Sequence, residues 1–172
     1  YLDLYGGHAV ISIGHSHPHY VQKLTEQLNQ IGFYSNSVKI PQQQELADKL
    51  GEQCGYPDYS LFLINSGAEA NENALKAASF YNGRKKVISF SKSFHGRTSA
   101  GVAATDDKSI QAPINKGHEV LFLPLNDAAA LEQVQNPEEY CAVIIEGIQG
   151  IGGVYTPTAE FLTQIRQFCD LH

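Results

Sequence analysis

The chain holds four stretches whose side chains could do chemistry. In the first, an apolar run, Leu61-Phe62-Leu63-Ile64, enters the small residues Asn65-Ser66-Gly67-Ala68 and passes straight into alanine-rich text. A strand-to-helix turn of this kind lets backbone N–H groups and a serine hydroxyl converge at a helix N-terminus, which suits a phosphate. The same text also suits a serine N-cap beside a tight-turn glycine. It has neither the Gly-Lys of a P-loop nor the Gly-x-Gly-x-x-Gly of dinucleotide folds, so ATP and NAD lose support.

The second stretch, Ser93-Phe94-His95-Gly96-Arg97-Thr98, follows a strand ending at Phe90. It sets an aromatic ring, an imidazole and a guanidinium at the carboxyl end of a strand, where open α/β sheets bind ligands. Phe94 could stack on a flat ring and Arg97 could hold a carboxylate through paired hydrogen bonds. The bland alternative is a core-covering phenylalanine and a surface-paired arginine. The third is Glu146, placed where the apolar run Ala142-Val143-Ile144-Ile145 ends, before Gly147-Ile148-Gln149-Gly150-Ile151-Gly152-Gly153. A carboxylate there is either functional or a cap on a neighbouring turn, and the glycines let backbone pass close to something. The fourth is the histidine cluster His15, His17 and His19. Its spacing matches no zinc motif and no cysteine or acid completes a ligand set, so a histidine-rich turn opening a helix is expected and no metal.

Alternating elements must position these groups. Tyr1-Leu2-Asp3-Leu4-Tyr5 reads as a strand, and a helix from about Pro18 carries Val21, Leu24, Leu28 and Ile31 on one face. A second helix follows Pro41. Strands are expected at residues 61–64, 87–90, 120–123 and 142–145, with helices at 69–81 and 127–134. Thr156 is the expected N-cap of the last helix, with Pro157 at its first position. The strands are apolar on both faces, as in a covered parallel sheet. The layout is α/β, three-layered.

The 172 residues are 42% hydrophobic and 17% charged, enough for one compact domain with a real core. Net charge is −6 and the basic residues are scattered, which argues against nucleic acid. No stretch approaches a membrane span and no signal sequence opens the chain, so a cytoplasmic protein is expected. Cys54, Cys141 and Cys169, odd in number and widely spaced, fit reduced core thiols.

Taken in order, the strings Tyr1-Leu2-Asp3-Leu4 with Gly14-His15-Ser16-His17-Pro18, Asn65-Ser66-Gly67-Ala68-Glu69-Ala70-Asn71-Glu72, Phe94-His95-Gly96-Arg97-Thr98, and Ile144-Ile145-Glu146 with Gln149-Gly150 resemble the class III, ornithine/acetylornithine-type aminotransferases over nearly the whole chain. The resemblance implies the fold type I architecture of pyridoxal-phosphate-dependent transferases, with residues 1–35 as an N-terminal segment and 36–172 as the first part of the large, mainly parallel-sheet domain. It implies pyridoxal 5'-phosphate as cofactor, with Ser66, Gly67 and Ala68 at the phosphate, Phe94 on the pyridine ring, and His95 and Glu146 in the surrounding polar network. Arg97 would grip a substrate carboxylate. His8 and Tyr34, the latter in Gly32-Phe33-Tyr34-Ser35-Asn36, would line the substrate pocket.

The Phe-His-Gly-Arg-Thr string resembles the acetylornithine, succinylornithine and 4-aminobutyrate branches most. The implied reaction moves an amino group from an N-acylornithine to 2-oxoglutarate, in a homodimer; the alternatives are 4-aminobutyrate or ornithine as donor, or a non-catalytic module binding a phosphate ligand. Ile151 stands where family members carry a glutamate that pairs with a downstream arginine. The family's cofactor-binding aspartate and imine-forming lysine would lie beyond His172, both ends look cut, and the chain alone is expected to be inactive.

Overall fold

A computed structural model describes all residues except Phe33 and Asn36, with Ala9 described by its backbone alone. Two compact units are formed, Tyr1–Phe62 and Leu63–His172.

In the first unit, the expected strand at residues 1–5 does not form. Strand geometry is held by a paired edge, whereas Asp3 bends the chain back on itself. Its Oδ1 accepts the N–H groups of Tyr5 and Gly6, each at 2.9 Å, and its Oδ2 meets His15 Nε2 at 2.9 Å. The Gly6 N–H, then His15 and the Tyr5 N–H, hold the Asp3 carboxyl down at about 2. The short turn α1 (Gly6–Ala9) follows with Gly6, Gly7 and His8 at φ of 61°, 56° and 60°, left-handed values that the two glycines adopt at no steric cost. Helices α2 (Pro18–Leu28) and α3 (Pro41–Cys54) each begin with proline at the first turn, where its missing N–H has no partner to lose. Val21, Leu24 and Leu28 do share a side of α2, yet all three are exposed, Leu28 at 70%. Only Gly51 is buried among the described side chains of this unit; a Cβ there would come within 2.9 Å of the Tyr56 carbonyl oxygen.

The second unit contains a parallel sheet with order β2-β1-β3, where β1 is Lys86–Phe90, β2 is Val120–Leu123 and β3 is Tyr140–Val143. Alternation along the central strand sorts the layers. Ile88 and Phe90, both at 0% exposure, pack with Leu131 of α6 (Ala128–Glu132) and, beyond the short turn α7 (Gly150–Gly153), with Phe161 and Ile165 of α8 (Ala159–Leu171). Phe90 and Phe161 meet edge to face, 5.6 Å between centroids. Ser89 faces the other layer, donating to the Ala104 carbonyl at 2.7 Å just past α5 (Ser99–Ala103), and α4 (Gly67–Asn82) packs on that side as well. Three layers are thus present, as expected.

Four further expectations need correction. Residues 61–64 pair with no strand among the described residues, and Phe62 is 71% exposed; an apolar run marks a strand candidate but does not supply the neighbour that makes it one. The last strand starts two residues earlier than expected, with only the Ile144 N–H, bonded to the Ile88 carbonyl at 2.9 Å, continuing the ladder. The last helix is capped by Thr158, whose hydroxyl accepts the Phe161 N–H at 3.1 Å. Asn126 takes up the preceding turn, accepting from Thr158 N–H and donating to the Thr156 carbonyl, so Pro157 stays outside the helix. The three cysteines are free, Cys141 and Cys169 half-buried and Cys54 exposed rather than in a core. No helix of the described residues is long and apolar enough to cross a membrane.

Candidate functional site

Ser66 is the N-cap of α4 in extended conformation, and its Oγ accepts the Glu69 N–H at 3.2 Å. Glu69 reaches back to the Asn65 N–H at 2.7 Å, a reciprocal arrangement close to a capping box. The plain-cap reading is therefore realised, and it is compatible with anion binding. The N–H groups of Gly67 and Ala68 precede the first intrahelical bond and have no partner inside the helix, and the Ser66 hydroxyl proton is not used by the cap. A Cβ on Gly67 would meet nothing within 4 Å, so the helix end opens on free space.

The loop carrying Phe94, His95 and Arg97 lies against this helix end. Gly96 has φ of 126°, and a Cβ there would fall 2.7 Å from the Ala68 Cβ. Phe94 is half-buried and Arg97 exposed, with no ion pair to Arg97 among the described residues. His95 is buried at 4% exposure; its N–H donates to Thr105 Oγ1 at 2.9 Å, while its Nε2 is buried without a hydrogen-bond partner. Burial pushes the imidazole down to about 4, which keeps it neutral at physiological pH.

Glu146 comes in from beyond β3, and its Oε1 accepts the Phe94 N–H at 2.8 Å. Burial raises its pKa, and the Phe94 N–H works against that rise. Gln149, 1% exposed, donates through Nε2 to the Ser91 carbonyl at 3.0 Å. A Cβ on Gly152 would come within 2.1 Å of the Lys92 carbonyl oxygen, so the glycine-rich segment does let backbone pass close, here the turn that leads from β1 to Phe94. Lys92 itself sits at φ 66°, with its ammonium 2.8 Å from the Tyr155 hydroxyl.

The structure thus gathers Ser66, Gly67, Ala68, Phe94, His95, Arg97 and Glu146 through linked contacts. His8 and Tyr34 belong to the first unit: His8 Nδ1 meets the Tyr5 hydroxyl at 2.5 Å and Tyr34 is 70% exposed. Phe33 and Asn36 of the string around Tyr34 lie outside the described residues. Among the described residues no group of three potential metal ligands converges, and His15 is engaged by Asp3. Asn71 and Glu72 were given no role by the sequence, although Ala68, Asn71 and Glu72 stand at i, i+3 and i+4, one face of a helix. Asn71 Nδ2 donates to the His95 carbonyl at 2.8 Å, and Glu72 Oε1 accepts from Thr98 Oγ1 at 2.7 Å and from the Gly101 N–H at 2.9 Å. A cavity of about 540 Å³ lined by Leu75, Val87 and Val120 includes none of the nominated residues.

The family model for class-III aminotransferases matches residues 1–172. The chain belongs to this family. An acetylornithine aminotransferase of Halalkalibacterium halodurans is 40% identical over all of this chain and 44% of its own length, and one of Vibrio cholerae is 42% identical with the same coverage. The chain spans less than half the length of these relatives. Among solved structures, the ornithine aminotransferase of Toxoplasma gondii superposes with a TM-score of 0.88 at 25% identity, covering 99% of this chain and 42% of that one. The taurine:2-oxoglutarate aminotransferase of Bifidobacterium kashiwanohense, in complex with PLP and glutamate, gives 0.79 at 26% identity over 92% and 41%. The three-layered α/β architecture of this class-III chain is accordingly that of the fold type I transaminases.

Proposed function

We propose that this chain is part of a pyridoxal-phosphate-dependent aminotransferase acting on an N-acylated ornithine, acetylated or succinylated, with 2-oxoglutarate as amino acceptor. The observation that carries the reading is the seating of Gly96 on Ala68, which places the aromatic and guanidinium loop directly beside an open helix N-terminus. The residues present fit the cofactor: the Gly67 and Ala68 N–H groups and the Ser66 hydroxyl would hold its phosphate, with the positive end of α4 behind them. Phe94, its backbone fixed by Glu146, would cover a face of the ring. When bound, pyridoxal phosphate supplies an electron sink for the carbon that bears the transferred amino group, which in an N-acylated ornithine is the terminal carbon of the side chain.

What the chain itself contributes is binding and orientation. Arg97, exposed and free of ion pairs among the described residues, would take a substrate carboxylate by two parallel hydrogen bonds. The neutral His95 adds no second positive charge beside it. Ile151, 66% exposed, offers no carboxylate for a switch between donor and acceptor. The lysine that would bind the cofactor covalently is assigned to the part of the relatives' length that this chain does not span; the chain alone would not turn over. A cytoplasmic homodimer completes the proposal.

The test is to produce the chain extended to its relatives' full length, follow the visible absorbance of added pyridoxal phosphate, and compare N-acetylornithine, N-succinylornithine, ornithine and 4-aminobutyrate as donors to 2-oxoglutarate. Cofactor absorbance with preference for an acylated ornithine supports the reading. Preference for free ornithine or 4-aminobutyrate would replace its substrate assignment, and absence of cofactor binding would overturn it.

A further inference from the structure

In the proposed function Arg97 is the residue on which substrate recognition rests, yet among the described residues no side chain hydrogen-bonds or ion-pairs with its guanidinium. Its backbone is held on both sides instead. Before it, the His95 carbonyl accepts from Asn71 Nδ2 at 2.8 Å and the His95 N–H donates to Thr105. After it, the Thr98 hydroxyl donates to Glu72 Oε1 at 2.7 Å, and the same oxygen takes the Gly101 N–H at 2.9 Å. Between these anchors Gly96 rests on Ala68, leaving no room for the loop to move toward the helix. The fold behind the loop is equally tight, since a Cβ on Gly101 would meet the His95 carbonyl oxygen at 3.0 Å and Thr98 Oγ1 at 3.2 Å.

We propose that Glu72, assisted by Asn71, is the positioning residue for Arg97, fixing where its side chain starts without engaging its charge. A carboxylate is suited to the task because one oxygen can accept two hydrogen bonds and charge-assisted bonds are shorter and stronger than neutral ones. Glu72 makes no ion pair with Arg97, so the guanidinium keeps its capacity for a ligand carboxylate. Both clamping residues lie on α4, the helix whose N-terminus would carry the cofactor phosphate. The distance between the phosphate and carboxylate ends of the site is therefore set by one rigid element. This inference rests on the reading of Arg97 as the carboxylate ligand.

The experiment uses the full-length enzyme loaded with cofactor and the unreactive dicarboxylate glutarate as competitor against 2-oxoglutarate. Arg97→Ala is expected to raise the inhibition constant at least tenfold. Glu72→Ala is expected to raise that constant and the KM for 2-oxoglutarate together by about five- to tenfold, with kcat changed less than about threefold, the signature of lost uniform binding. In the Arg97→Ala background it should add nothing, because a residue acting through Arg97 has no effect once Arg97 is gone. Glu72→Gln, whose amide oxygen still accepts, should recover most of the loss. Should Glu72→Ala not fold, Thr98→Val removes one of the two donors and should show the same pattern at about two- to threefold. An unchanged inhibition constant in Glu72→Ala or Thr98→Val, or an equal effect in the Arg97→Ala background, overturns the proposal while leaving Arg97 as the ligand. An unchanged constant in folded Arg97→Ala overturns the reading of Arg97 and the proposal with it.

Discussion

Two buried residues of one loop, Gly96 and His95, decide much at the residue scale. Gly96 combines φ of 126° with a Cβ position 2.7 Å from the Ala68 Cβ. Alanine there must both adopt a conformation nearly reserved for glycine and displace either the loop or the helix end, so Gly96→Ala should destabilise by roughly 2 kcal/mol or more. In the full-length enzyme it should also weaken cofactor binding, checked by thermal melting and by titration of the visible absorbance. His95 supplies a pH dependence whose sign is fixed by burial. Its folded pKa of about 4 lies below the ordinary value of 6.5, so between these pH values the unfolded chain binds a proton that the folded chain refuses. Its contribution is flat above pH 6.5, falls as pH drops toward 4, and reaches up to about 3 kcal/mol lost. His95→Phe removes the titrating group while leaving the backbone bonds to Thr105 and Asn71 available. Melts of the two proteins from pH 7 to 4 should therefore diverge, with the variant the flatter; parallel curves would show that the folded chain protonates His95 as readily as the unfolded one.

At the scale of elements, α4 has two tasks at its N-terminus that can be separated. Ser66→Ala removes the acceptor for the Glu69 N–H and should cost about 1 kcal/mol of stability together with cofactor affinity. Ser66→Asp keeps an N-cap acceptor but sets a negative charge where phosphate is proposed, so it should melt near the parent temperature and still bind cofactor poorly. If both variants lose stability and affinity in proportion, the serine serves the helix alone. The helix itself was legible in advance, because small residues leading into alanine-rich text leave few other structures open, and so were β1 and β2 as apolar runs between turn residues. What was not legible is pairing. Residues 61–64 have strand composition and no partner among the described residues, residues 1–5 yielded to the side chain of Asp3, and the cap of α8 moved to Thr158 because Asn126, more than thirty positions away in sequence, claims the preceding turn. The site divides the same way. The nominated side chains could be read from type and order, whereas the hydrogen bonds of Asn71, Glu72 and Glu146 to the loop depend on distances that only the fold creates.

The two units differ sharply in how much they bury, and this governs how the whole chain should behave. The unit Leu63–His172 has a core centred on Ile88, Phe90 and Phe161, whereas in Tyr1–Phe62 the described side chains include a single buried residue, Gly51. Val21, Leu24 and Leu28 on α2 and the run Leu61-Phe62-Leu63 all stand in solvent. Apolar surface on this scale is normally covered by another part of the protein or by a partner, and an unpaired strand candidate adds an edge on which chains can associate. The 172-residue chain produced alone should therefore bind a hydrophobic dye strongly, elute in part as soluble aggregate, and lose its first unit to limited proteolysis before its second. Extending it to the relatives' length should suppress all three. Dye binding and proteolysis should separate the units even where the chain stays in solution: cleavage confined to the first 62 residues, with a resistant remainder that melts cooperatively, is the expected pattern. A monomeric 172-residue chain that melts in one sharp transition, with both halves equally protected, would show that these apolar faces are covered within the chain itself.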